Sequence, residues 1–153
     1  MARIDDIPEP TRSNVLQLEC PAFEGQPFVA GPPLARRRVA IVSSAAIHAR
    51  TEPAFPHGAT EFRGLPATLD AGDIVMSHVS VNFDRHGFES DLNVIYPIDR
   101  LRELAAAGVI GSVAATHYAS MGATDPTTMA ATTAQLVGQL RQDRVDAVLL
   151  SPV

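Results

Sequence analysis

The chain has 153 residues, of which 46% are hydrophobic and 19% charged, with a net charge of -5. This composition fits one folded domain and excludes a disordered chain. All 12 basic residues are arginines, and their only cluster, Arg36-Arg37-Arg38, immediately precedes a strand-like run, so no basic stripe favours nucleic acid.

Residues 1–38 read as an extended N-terminal segment, punctuated by Pro8, Pro10, Pro21, Pro27, Pro32 and Pro33, with a short helix over 11–18. The rest of this segment is expected to wrap the surface of the domain or of a partner. Cys20 lies within it and is the only cysteine, which excludes an internal disulfide. The opening MARIDDIPEP has no apolar core for a signal peptide. Nor does any apolar run approach the roughly 20 residues of a membrane helix. The expected location is the cytoplasm.

Residues 39–153 read as an α/β domain. Val39-Ala40-Ile41-Val42-Ser43 is short, apolar and β-branched, hence a buried strand. Residues 45–70 are rich in Pro and Gly and long for a loop, which hints at function; a short strand is expected near 61–64. The run 73–79 is the next strand. Pro97 opens a helix with Ile98, Leu101 and Ala105 on one face and Gly108 as its stop. Residues 109–115 read as strand. Asp125 caps a second helix, whose stripe is Met129, Thr133, Leu136, Val137 and Leu140. Residues 145–150 read as a last buried strand. Apolar strands alternating with helices imply a three-layer α/β domain, Rossmann-like or flavodoxin-like, with a mostly parallel sheet.

Ligands of open α/β sheets bind outside the carboxyl ends of the strands. His48 follows the first strand, His78, Asn82 and Asp84 the next, and His117 and Tyr118 the third. Each has a plainer reading. His48 serves equally well as a loop histidine, and His57 and His86 suit a solvent-exposed loop and a turn. His78 inside an apolar run competes with a core histidine bonded to the backbone, and both readings stand for His117-Tyr118. Asp84-Arg85 is as readily a surface ion pair, and Asp91-Leu92-Asn93 a turn whose side chains bond their own backbone. His78, Asp84, His86 and His117 offer nitrogen and oxygen donors, but no two histidines have helical i, i+4 spacing, so no metal is expected.

The segments Asn82-Phe83-Asp84-Arg85, Asp91-Leu92-Asn93-Val94, Pro97-Ile98-Asp99-Arg100-Leu101, His117-Tyr118 and Ser120-Met121-Gly122 occur here in that order. Together they resemble the glycine/sarcosine/betaine reductase selenoprotein B family, related to the selenocysteine-containing subunit of D-proline reductase. The resemblance extends more weakly to 39–50 and 145–153. It implies a component of a thiol- or selenol-dependent oxidoreductase that cleaves a C–N bond of a small amino-acid-like substrate and leaves a disulfide. Implied partners are a pyruvoyl-bearing subunit and a thiol or selenoprotein electron donor, with a homo-oligomer also open. His78 and His117 would be the catalytic proton carriers, and His48, Asn82, Asp84 and Tyr118 would bind substrate.

In the resembled family the nucleophile is a selenocysteine, or a cysteine, on the loop after a strand like 145–150. This sequence reaches Val153 without it. The expectation is therefore a chain truncated after its last strand, with selenocysteine encoded immediately after Val153, and inactive on its own. The rival reading is a non-catalytic small-molecule-binding or assembly subunit. A racemase-like or hydrolytic α/β enzyme is disfavoured, since there is neither a serine elbow nor a cysteine pair.

Overall fold

A computed structural model describes residues 3–17, 25–80 and 85–153. The fold is mixed α/β, a curled main sheet with four α-helices. Its central strand is β1 (Arg38–Ser43), the apolar run read from the sequence. Along one edge β1 pairs in parallel with β7 (Ala147–Ser151), from Val39 opposite Ala147 to Ser43 opposite Ser151. Along the other edge it pairs in parallel with two short strands in succession, β5 (Ser112–Val113) and β6 (Thr116–Ala119). β3 (Arg63–Pro66) closes that side, antiparallel to β6. A separate two-stranded antiparallel sheet joins β2 (Ile47–Ala49) to β4 (Ile74–Met76).

The helices are α1 (Thr11–Leu16), α2 (His86–Ser90), α3 (Ile98–Ala106) and α4 (Ala130–Gln142). α3 turns Ile98 and Leu101 into the main core, which also holds Val39, Ile41, Leu65 and Ile95. Gly108 stops it with a φ of +70°, a conformation that glycine adopts without steric cost. Asp125 caps the next helical segment, its carboxylate accepting from the Thr127 N–H at 2.9 Å, but a 3-10 turn over Pro126–Met129 precedes α4. Of the stripe read on α4, Leu136 is buried and Val137 is not. No described residue before Arg38 is buried. Among the described residues no helix is long and apolar enough to cross a membrane.

Three differences from the sequence reading have physical causes. The run 73–79 forms strand at 74–76 and pairs with β2, outside the main sheet. β7 forms in the expected place, yet Leu150 is 70% exposed and Val148 and Leu149 are also open, because β7 is an edge strand that no described element covers. The run 109–115 makes only two residues of strand before the chain departs from β1.

That departure is a register mismatch. Val39 pairs with Val113 and Val42 with Tyr118, so three steps along β1 face five along the β5–β6 segment. The surplus bulges out of the ladder, and its orphaned polar groups find other partners. Ala114 N–H still reaches Val39 C=O at 2.9 Å. Ala115 N–H donates to the Asp143 carboxylate at 2.8 Å, and Thr116 N–H reaches the same oxygen at 3.4 Å. Asp143 also takes the Arg38 guanidinium. On the β1 side, Ile41 N–H donates to His117 Nδ1 at 2.9 Å, the imidazole standing in for a missing carbonyl.

His117 is fully buried, and its ring packs edge-on to Tyr96 with centroids 5.6 Å apart. Burial, helped by the Arg102 charge, lowers its pKa to about 4, so the ring is neutral and Nδ1 can accept. Partial burial pushes the Asp143 pKa up, but the Arg38 bond and charge and the two N–H donors outweigh it, and the carboxyl stays below its ordinary value.

Replacing Asp143 by Ala strands the bulge donors and Arg38, and should lower stability by about 2–3 kcal/mol in urea unfolding, with Asp143→Asn recovering part of the loss. The histidine has a pH signature. Its folded pKa lies below the unfolded value of 6.5, so the unfolded chain takes up the proton first. Stability is therefore complete above about pH 6.5 and falls progressively towards pH 4, by roughly 3 kcal/mol in total. His117→Asn keeps an acceptor near Nδ1 and should flatten this slope, whereas His117→Leu should destabilise at every pH.

Candidate functional site

The parallel register brings Ser43, Ala119 and Ser151 level, so β1, β6 and β7 end together. The three segments that leave these ends bind one another. After β1 the chain turns through Ala46 at a φ of +52°, a left-handed conformation costly for a residue with a Cβ. The turn is held by Ala46 N–H donating to Ser120 C=O at 2.9 Å and by Ser44 N–H donating to Ser151 C=O at 3.1 Å. Ser44 Oγ also accepts from Val153 N–H at 2.8 Å.

His78 joins this edge from the exit of β4. Ser77 N–H donates to Ala46 C=O at 3.1 Å, tying that exit to the turn after β1. Gly122 then meets both: a Cβ there would lie 2.6 Å from Ser44 O and 3.0 Å from His78 Nε2. Only glycine allows this approach. The His78 ring is buried and its Nδ1 accepts from Ser80 N–H at 3.1 Å, so in the neutral ring Nε2, beside Gly122, carries the proton. Burial, then the Arg85 charge, lowers the His78 pKa. Arg85 donates to the carbonyls of His78 at 2.9 Å and Ser80 at 2.8 Å, which ties the start of α2 to the exit of β4. The edge thus sets a buried imidazole and the Ser44 main chain against Gly122, which is itself exposed.

The residues singled out from the sequence are distributed unevenly. His78 stands at the edge. His48 lies on β2, buried, its Nδ1 bonded to Ala49 C=O at 2.9 Å and its ring edge-on to Phe55 at 6.0 Å. Phe55 N–H in turn donates to Ser77 Oγ, so His48 flanks the loop that carries His78. His117 points into the core, and Tyr118, its neighbour on the strand, alternates to the opposite face. Burial, then the Asp143 charge, raises the Tyr118 pKa. Asn82 and Asp84 lie outside the described residues, as does Cys20. Asp91-Leu92-Asn93 is a self-bonded turn: the Asp91 carboxylate accepts from the Asn93 N–H and side chain, both at 2.9 Å. Among the described residues no three His, Cys, Asp or Glu are placed to share a metal ion.

Ser44, and the contact of Gly122 with His78, escaped the sequence reading. The signal available for both was a run of small residues after a strand, Ser43-Ser44-Ala45-Ala46 and Ala119-Ser120-Met121-Gly122.

The chain is 32% identical over 116 residues to D-proline reductase subunit gamma of Acetoanaerobium sticklandii, a match covering 74% of this chain and 47% of that protein. The chain thus spans about half the length of this curated relative. No solved structure matches it. Residues 26–153 match the family described as glycine/sarcosine/betaine reductase selenoprotein B. With most of its length matched, this chain belongs to the glycine/sarcosine/betaine reductase selenoprotein B family.

Proposed function

We propose that the chain works as a component of a thiol- or selenol-dependent reductase that cleaves a C–N bond of a small amino-acid-like molecule. The carboxyl edge around His78 and Gly122 is one wall of the substrate site. The observation that carries this reading is the approach of His78 Nε2 and Ser44 to Gly122 where three parallel strands end. Family membership and the reductase subunit to which the chain is similar support it. A Rossmann-like, three-layer reading belongs to the same proposal, supported by the three parallel pairings of β1.

The chemistry divides between this wall and a redox donor. The C–N bond breaks, two electrons come from a thiol or selenol pair that ends oxidised, and one proton goes to carbon and one to nitrogen. Residues 25–153 contain no cysteine, so the donor and any selenocysteine come from outside them. Partners of the proposed assembly are a pyruvoyl-bearing subunit and a thiol or selenoprotein donor, working in the cytoplasm. His78 is the proton carrier: its lowered pKa keeps it neutral near pH 7, with a proton on Nε2 to give and Nδ1 fixed by Ser80. The Arg85 charge beside it suits a substrate carboxylate. His48, Asn82 and Asp84 complete the proposed pocket. His117 and Tyr118 act as positioning residues, His117 through its bond to Ile41.

The test is to isolate the tagged chain with its native partners and supply dithiothreitol with glycine, sarcosine, betaine or D-proline. Thiol-dependent cleavage of one of them is expected, and His78→Ala should lower kcat by about a hundredfold or more. Full activity in that variant would overturn the role of His78. Binding without thiol-dependent turnover would establish the rival reading, a non-catalytic binding or assembly subunit. Gly122→Ala drives a Cβ into Ser44 O and should cost about 1–3 kcal/mol of stability, with KM raised in whatever folds.

A further inference from the structure

A groove of about 350 Å³ runs along β4, with α2 as its opposite wall. Ile74, Val75 and Met76 form one side, Phe88 and Glu89 the other. It continues into a recess of about 180 Å³, sharing Ala71, Ile74, Ser90 and Leu92 with it. The combined cleft is bounded by a strand and a helix.

The strand that borders it has an open edge. β4 bonds to β2 through alternate residues: Asp73 C=O accepts from Arg50 N–H, Ser77 N–H donates to Ala46 C=O, and Val75 stands opposite His48. The main-chain groups of Ile74 and Met76 therefore face the other edge. Ile74 N–H closes a turn onto Ala71 C=O. Ile74 C=O and both main-chain groups of Met76 have no main-chain partner among the described residues.

The cleft also has a charge. Glu89 and Asp91 line it, and Asp70 and Asp73 lie either side of Ala71-Gly72, outnumbering the Arg50 guanidinium that bonds to Gly72 C=O at 2.8 Å. Its one basic lining residue, Arg102, is already paired with Asp99 at 2.7 Å. The self-bonded turn, through the Asn93 side chain and N–H, lowers the Asp91 pKa and keeps this carboxylate ionised. Such a rim attracts cations and repels acidic chains.

We propose that this cleft docks an extended segment of a partner polypeptide in which apolar and basic residues alternate, added as a further strand to the open edge of β4. Main-chain bonds to Ile74 and Met76 hold the segment, its apolar side chains enter the floor at Leu92 and Ile95, and its Arg or Lys residues meet Glu89 and Asp91. The inference is independent of the reductase chemistry, and either can fail alone.

The probe is a fluorescein-labelled peptide RVRLRVR, with EVELEVE as its charge-reversed counterpart, titrated against the 153-residue chain. RVRLRVR should bind and EVELEVE should not. Glu89→Arg with Asp91→Arg should weaken RVRLRVR by about tenfold or more, while Asp5→Arg with Asp6→Arg leaves it within about twofold. Amide exchange should slow at Met76 when RVRLRVR is added. Equal binding of both peptides, indifference to the Glu89 and Asp91 changes, or protection over 147–151 in place of Met76 would overturn the proposal; the last would make β7 the docking strand.

Discussion

Everything in this fold leans on how the protein resolves one mismatch: three residues of β1 set against five of the β5–β6 segment. A parallel ladder cannot absorb such a surplus without losing main-chain bonds, and buried main-chain groups must be paired. Side chains from distant parts of the sequence take over. His117 supplies an acceptor to Ile41, and Asp143, just beyond α4, takes the donors of Ala115 and Thr116 together with Arg38. The last turn of α4, the start of β1 and the interrupted strand are thereby tied at one point.

The mismatch also determines where the strands end. Once the surplus is taken up, β6 falls back into register with β1 at Val42 opposite Tyr118, and Ser43, Ala119 and Ser151 finish at one level. The turn through Ala46, the bonds of Ser44 to Ser151 and of Ala46 to Ser120, and the approach of Gly122 to His78 all depend on that levelling. A histidine that plugs a ladder thus serves a second histidine, buried behind the exposed Gly122. Burial lowers the pKa of both, but with different consequences: in His117 it preserves a structural acceptor, and in His78 it leaves a neutral ring beside a fixed guanidinium.

Much of this was legible in the sequence because it is local. The apolar run of β1, the opening of α3 at Pro97, the Gly108 stop and the Asp125 cap each depend on a few adjacent residues. The self-bonded turn at Asp91-Asn93 is equally local. The family was legible too, from motifs in a fixed order. What stayed hidden needed partners far apart in the chain. Nothing in 109–119 announces a bulge, since its compensating groups lie at Asp143 and Ile41. The run 73–79 looks like any buried strand, and only its pairing with 47–49, a segment too short to read, moves it out of the main sheet. His117 and Tyr118 followed an apolar run and so were read as emerging from a strand, when they lie within one and face opposite sides.

The account's central claim is that the level ends of β1, β6 and β7, with His78, form a substrate wall. The most direct test is to add D-proline, glycine, sarcosine or betaine to the isotopically labelled chain and follow its amide and imidazole NMR signals. Concentration-dependent shifts confined to Ser44, His78, Ser120 and Gly122 are expected for at least one of the four. Saturable shifts elsewhere, with these four residues unmoved, would contradict the claim.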